Sequence, residues 1–386
     1  MALSGMGMMT ALVLEGARKM SLQNMAKPAP DPGQVLIEVR AAGVCGTDLH
    51  IFNGLANYNL DCDRRPIPLE RQHQILGHEF CGRVEAVGAG VTKCRPGDLV
   101  IVDQVLNCYS QGRSPVCEYC ETGDSHQCAF GQEFGITGLP GAFAEFTVVP
   151  APNVIPVPPG ISELQAALAE PLGCVLHASD RTERSNARYH FEGNRRIRHV
   201  LILGAGPSGL LFLQYLRNVR QFDGEILVAD LKNAKLELAA RLGGDPVDLR
   251  NTDLPAYVKR VTRGEGIHYV IEASGSGRAL EPISQVARRQ ATVLLYGAGH
   301  ADLAPGCLTP FQAMEMNLVT SGGASGGFDA DGTPTTYRRS LECVRDGKVN
   351  LECLTTHRYH SLADLPQVFS HDSLRDDFIK GALVRT

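Results

Sequence analysis

Two textures of hydrophobic patterning divide this chain. Up to about Ala151, short apolar runs broken by Gly, Pro and Asp recur at residues 35–39, 82–87, 98–102 and 143–149. Runs of that length and spacing predict the strands of an all-β, barrel-like domain whose loops, rather than strands, carry clusters of Cys and His. Residues 1–10, rich in methionine and without a positive cluster, read as a poorly ordered lead-in to an apolar run at 11–14.

Past the proline-rich stretch 156–160 the pattern changes to alternation. Ser162 is placed to cap a helix over 162–169. A strand at 200–203 is followed by a helix at 207–217, with Pro207 in the first turn, where its missing N–H costs little. Strands at 225–229 and 267–272, helices at 233–242 and 278–287, and a strand at 292–296 continue the series. Such βαβ alternation predicts a doubly wound parallel sheet, so the fold class is α/β. The alternation fades around 317–320 and the glycine-rich 322–327, and a helix is predicted at 335–346. The tail is too short to fold alone and is expected to complete the first domain. The predicted organisation is 1–172, then 173–321, then 322–386. Residues 181–198 carry Arg181, Arg184, Arg188, Arg195, Arg196 and Arg198 with little apolar content. They read as a solvated surface insertion, with a subunit contact or an anion-attracting rim as the sharper alternative.

Composition narrows the classes. Hydrophobic content of 44% and charged content of 20% over 386 residues are those of an ordinary globular protein long enough for two cores. A net charge of −5 without a basic run argues against nucleic-acid binding. No apolar stretch approaches the ~20 residues of a membrane helix. Twelve cysteines in a chain of this length, at metal-like spacings and without a secretory signal, predict reduced thiols and a cytoplasmic protein.

Gly204, Gly206 and Gly209, with Pro207 and Ser208 between them, follow the apolar strand and open a helix, the context in which a glycine-rich turn cradles a pyrophosphate. Asp230, at the end of the next strand, can accept hydrogen bonds from a ribose and repels a 2′-phosphate. NAD is therefore expected over NADP, a preference softened by Lys232 and Lys235. The glycine-rich 87–90 lacks the third glycine and a following helix, and reads as a turn.

Cys45, His78, Glu79 and Glu170 supply a thiolate, an imidazole and carboxylates, a set suited to a catalytic zinc with an open position. Cys174, one helical turn after Glu170, is a rival third ligand. Thr47 and His50 follow Cys45 at spacings that let a hydroxyl and an imidazole relay a proton outward. Cys117, Cys120 and Cys128 form a second cluster fit for a closed structural zinc, with Cys108 or His126 as the fourth ligand.

In these motifs, and in their order, the chain resembles the zinc-dependent medium-chain dehydrogenase/reductase family, particularly its sorbitol, polyol and threonine dehydrogenase branch. The residues that carry the likeness are 43–50, 77–84, 87–91 with Gly97 and Asp98, 170–172 and 204–209. The resemblance implies a GroES-like β-barrel catalytic domain completed by the C-terminal tail, with a Rossmann domain inserted. It implies Cys45, His78 and a carboxylate from Glu79 or Glu170 at the zinc, with Thr47 and His50 in the relay. The chain departs from the family in three places. Ser114 stands where the first structural-zinc cysteine is usual, so four-thiolate binding requires Cys108; residues 51–76 are enlarged and polar and border the substrate; and 181–198 is inserted. The expected activity is hydride transfer between NAD and a secondary hydroxyl or ketone of a polar polyol, sugar or cyclitol. An L-threonine-type amino-alcohol dehydrogenase and a non-catalytic NAD-binding protein are the alternatives. A homo-oligomer, dimer or tetramer, is expected from the resemblance.

Overall fold

A computed structural model describes residues 7–324, 327–329 and 333–385. The chain folds into two compact units, Met1–Gly173 with Ala324–Thr386, and Cys174–Gly323.

The first unit is built on a seven-stranded sheet ordered Val154–Pro156, Leu99–Val102, Glu79–Val87, Gln34–Gly43, Lys380–Val384 and Thr355–Tyr359, with Phe146–Pro150 also pairing Gln34–Gly43. The tail supplies the two strands at one end of this sheet: Lys380–Val384 runs antiparallel to Gln34–Gly43 and parallel to Thr355–Tyr359. Leu383 accordingly shares one core with Val35, Ile37, Phe80 and Phe143. Alternating apolar positions in these strands face that core, and polar Glu38 and Arg83 pair in register away from it.

The second unit is a six-stranded parallel sheet ordered Asp245–Asp248, Glu225–Asp230, His199–Leu203, Ile267–Glu272, Ala287–Leu295 and Asn317–Thr320. The order reverses beside His199–Leu203, the position at which doubly wound sheets bind their ligands. Every residue of Ile267–Glu272 is buried, as expected of a strand covered on both faces.

Several local expectations are corrected. Residues 8–10 belong to the strand Met8–Gly16 rather than to a lead-in, while residues 1–6 lie outside the described segments. The helix expected at 278–287 is only two short turns, Gly277–Leu280 and Ile283–Val286. Pro282 has no N–H to donate to the preceding turn, and its ring crowds the carbonyl four residues back, which interrupts the hydrogen-bonded run even though Glu281 keeps helical dihedrals. The alternation does not end at 317–320, because Asn317–Thr320 forms the sixth strand. The strand Asp245–Asp248 escaped the pattern because Pro246 disguises it, yet proline is tolerated at a sheet edge. The insertion at 181–198 is not one loop. The helix Ala169–Arg184 includes Arg181 and Arg184, and beyond it Tyr189 and Phe191 pack edge-on against His268 and Tyr269. Its arginines are exposed, and several are tied down, Arg196 to Asp223 at 2.6 Å and Arg181 to the Thr320 carbonyl at 3.0 Å.

Candidate active site and metal centres

Cys45 caps the helix Gly46–Phe52, and the residues around it are arranged by a carboxylate that the motif analysis left without a role. Asp48 is fully buried. One of its oxygens accepts the Cys45 N–H at 2.8 Å; the other accepts the Gly77 N–H at 3.2 Å and lies 3.5 Å from His78 Nδ1. Asp48 thus ties the helix start to the turn that carries His78. The signal was legible as an acidic side chain three residues after a helix cap. Gly77 is required in that turn: its φ is +92°, and a Cβ would come within 2.7 Å of the Phe143 ring.

Ligand atoms of Cys45, His78 and Glu79 lie within 4.8 Å of one another. Burial works against a charged His78, yet Asp48 and Cys45 outweigh it and raise its pKa well above the ordinary histidine value. A thiol, an imidazole and a carboxylate brought this close, with Asp48 behind the imidazole, form a donor set of the kind that holds a divalent cation. The residues therefore fit a zinc ion. A metal-ligating histidine ordinarily gives its second ring nitrogen to a carboxylate, and Asp48 is in place for that.

Glu79 is also engaged elsewhere. Lys380 Nζ lies 2.9 and 2.7 Å from its two carboxylate oxygens and donates to the Val44 carbonyl at 3.1 Å. Glu170 is buried in the first turn of Ala169–Arg184 but is not among the three clustered ligands, and neither is Cys174. Thr47 Oγ1 sits 3.8 Å from Cys45 Sγ, and His50, half-buried, follows one turn later on the same helix. Tyr58, from the enlarged segment 51–76, feels the charges of Glu133 and Cys45, so that segment borders the site.

The four thiols Cys108, Cys117, Cys120 and Cys128 also gather within 4.8 Å, with Cys108 and Cys128 sulfurs 3.6 Å apart. Cys108, not Ser114 or His126, makes the fourth. Amide hydrogen bonds, the Cys120 N–H foremost, hold Cys117 down at about 6, whereas burial raises Cys120 and Cys128. One thiolate among thiols that resist ionising is what a fourfold-coordinated cation would even out. Replacing Cys120 by Ser is expected to lower the zinc content by one ion per chain and to lower the melting temperature, read by metal analysis and calorimetry; unchanged zinc content would remove this cluster from consideration.

In the second unit Gly206 caps the helix Pro207–Gln214, and a Cβ there would meet no protein atom within 4 Å, leaving the approach to the helix N-terminus open. Gly209 has no such freedom: a Cβ would overlap the Gly204 carbonyl at 1.9 Å. Gly204 adopts φ +97° against Ser274. Ser208 lies in the first turn of the same helix. Asp230 accepts the Ala205 N–H at 2.7 Å and the Leu231 and Lys232 N–H groups at 2.7 and 2.9 Å, which locks its carboxylate beside the glycine turn. Lys235 is close enough to feel Asp230, and burial lowers its pKa. These residues fit a dinucleotide.

Residues 31–159 match the family model described as alcohol dehydrogenase GroES-like domain, and residues 207–320 the one described as zinc-binding dehydrogenase. An L-threonine 3-dehydrogenase of Pyrococcus abyssi is 33% identical over 345 residues, 89% of this chain and 88% of the relative. A 2-dehydro-3-deoxy-L-galactonate 5-dehydrogenase of Pseudoalteromonas atlantica is 31% identical over 343 residues, 89% of each chain. Among solved structures, a candidate zinc-binding dehydrogenase of Sinorhizobium meliloti 1021, bound to NADP, is similar with a TM-score of 0.77 at 26% identity, over 98% of this chain and 99% of that one.

Proposed function

Because this chain belongs to the zinc-dependent medium-chain dehydrogenase/reductase family, we propose that it interconverts a secondary hydroxyl and a ketone on a polar polyol, sugar or cyclitol. The observation that carries the reading is the convergence of Cys45, His78 and Glu79 ligand atoms within 4.8 Å, braced by Asp48. Cys45 and His78 would hold zinc, with a carboxylate from Glu79 or Glu170; Glu79 is the one whose oxygens lie with the other two ligand atoms, although Lys380 also engages it. Bound zinc supplies a Lewis acid for the substrate hydroxyl and bound NAD the hydride acceptor. Thr47 accepts the hydroxyl proton and His50 passes it outward. Gly204, Gly206, Pro207, Ser208 and Gly209 receive the pyrophosphate, and Asp230 with Lys235 borders the adenosine ribose.

The threonine dehydrogenase relatives keep an amino-alcohol substrate as the second reading. A panel of polyols, cyclitols, sugars and L-threonine, followed by NADH absorbance, chooses between them. Absence of turnover together with absence of bound zinc would instead support the non-catalytic reading. Asp230→Ser is expected to raise the NADP-to-NAD ratio of kcat/KM about tenfold, the effect of losing one charge-assisted hydrogen bond; an unchanged ratio would dismiss Asp230 from cofactor choice. Among the described residues no helix is long and apolar enough to cross a membrane, and no cysteine is joined in a disulfide. We carry a cytoplasmic location and a homo-oligomer, dimer or tetramer, as part of the same proposal.

A further inference from the structure

Glu133 belongs to no recognised motif, yet the fold sets it beside the metal ligands. It lies in the short strand Gln132–Glu133, opposite Val105 of an antiparallel partner. Phe134 and Ile136 join the hydrophobic core, so Glu133, one residue earlier in extended chain, faces the other way. The turn that follows is wedged against the site. A Cβ at Gly135 would come within 2.6 Å of the Gly77 carbonyl, and one at Gly138 within 2.8 Å of the Asn59 side chain. Glu133 is therefore fixed next to the His78 turn and the Tyr58–Asn59 stretch, and its charge is felt at both His78 and Tyr58.

The surroundings of Glu133 are short of donors. Gln104, only 4% exposed, hydrogen-bonds Glu133, and its own Oε1 has no hydrogen-bond partner. A buried acceptor left in that condition is costly unless something donates to it. Asp103 adds a second carboxyl. Burial, opposed by the Val105 N–H and helped by Glu170 and Glu133, pushes it up to about 7. Glu133, Gln104 and Asp103 thus bring acceptor groups together, while the Lys380 ammonium is taken up by Glu79 and Val44.

We propose that Glu133, with Gln104, is the specificity-determining pair of this site, receiving a hydroxyl or ammonium donor on the substrate and rejecting substrates that place a carboxylate or phosphate there. The proposal rests on the dehydrogenase reading above and sharpens its substrate class to neutral polyols or amino alcohols, against sugar acids. A carboxylate opposing a carboxylate is unfavourable, whereas a charge-assisted hydrogen bond to a substrate donor is strong and short.

The test compares zinc-loaded full-length wild type with Glu133→Gln on erythritol, myo-inositol, L-threonine and D-gluconate. Wild type is expected to prefer one of the first three over D-gluconate by at least about tenfold in kcat/KM. Glu133→Gln is expected to raise KM for that substrate about tenfold or more, the scale of one hydrogen bond to a charged group. It should leave kcat and zinc content unchanged and narrow the discrimination against D-gluconate. A larger KM change on L-threonine identifies an ammonium as the donor, and a larger change on the polyols a hydroxyl. Unchanged KM values, or a fall in zinc content and kcat, would overturn the proposal by giving Glu133 no role or a role at the metal. Wild type oxidising D-gluconate best would overturn it while leaving the dehydrogenase reading intact. Wild type oxidising none of the four would bring down that reading and the proposal with it.

Discussion

Substituting Cys45 by Ser is expected to lower kcat about a thousandfold or more while leaving NAD binding close to wild type. The magnitude follows from what is withdrawn. A Lewis acid at the reacting oxygen contributes several kcal/mol to the barrier, and about 1.4 kcal/mol corresponds to a factor of ten. Serine keeps the side-chain size but offers a hydroxyl in place of a thiolate, a far poorer zinc ligand at neutral pH. The glycine turn and Asp230 belong to the other compact unit, so dinucleotide affinity should survive. Metal analysis, steady-state rates and NADH fluorescence titration on one preparation separate the outcomes. Lost zinc and lost turnover with retained NADH affinity is the expected result; full activity would show that Cys45 is no ligand.

The parts of this molecule that could be read from sequence are those whose partners are close along the chain. The glycine turn was legible because a strand, three glycines and a helix follow one another between His199 and Gln214, where local geometry dictates the rest. The helix capped by Ser162 was legible for the same reason; Gln165 answers its cap within one turn. Cys108 could be offered only as a candidate, since nothing local decides whether nine residues of loop fold back; the structure brings its sulfur to Cys128. Asp48 was in plain view inside the motif at 43–50, but its role depends on Gly77 and His78, about thirty residues away. Glu133 and Lys380 were beyond reach. Each is a single charged residue in an otherwise unremarkable stretch, and only the sheet pairing reveals what it faces. Local errors had local causes too: Pro282 split a helix that apolar spacing favoured, and Pro246 hid an edge strand.

Lys380 has the largest expected effect on stability. It is separated from Glu79 by 301 positions, and both side chains are almost wholly buried, at 3% and 1% exposure. The arrangement also accounts for how the tail registers: Lys380 opens the strand that pairs with Gln34–Gly43, and its ammonium reaches the Val44 carbonyl just beyond that strand. Removing one member of a buried pair leaves the other charged and unpaired, which costs about 3–5 kcal/mol. Lys380→Met keeps most of the packing and takes away the charge, so it isolates that term. For a unit of this size, the loss corresponds to a fall of roughly 10 °C in melting temperature. Pairing the change with Glu79→Gln removes the stranded carboxylate and is expected to recover most of the loss, because a neutral amide is far less costly to bury than an ion. Calorimetry on both variants and the double variant closes the cycle. If Lys380→Met melts within a degree or two of wild type, the pair contributes nothing to the fold. If the double variant is no better than the single one, the cost lies in lost lysine contacts rather than in the isolated charge.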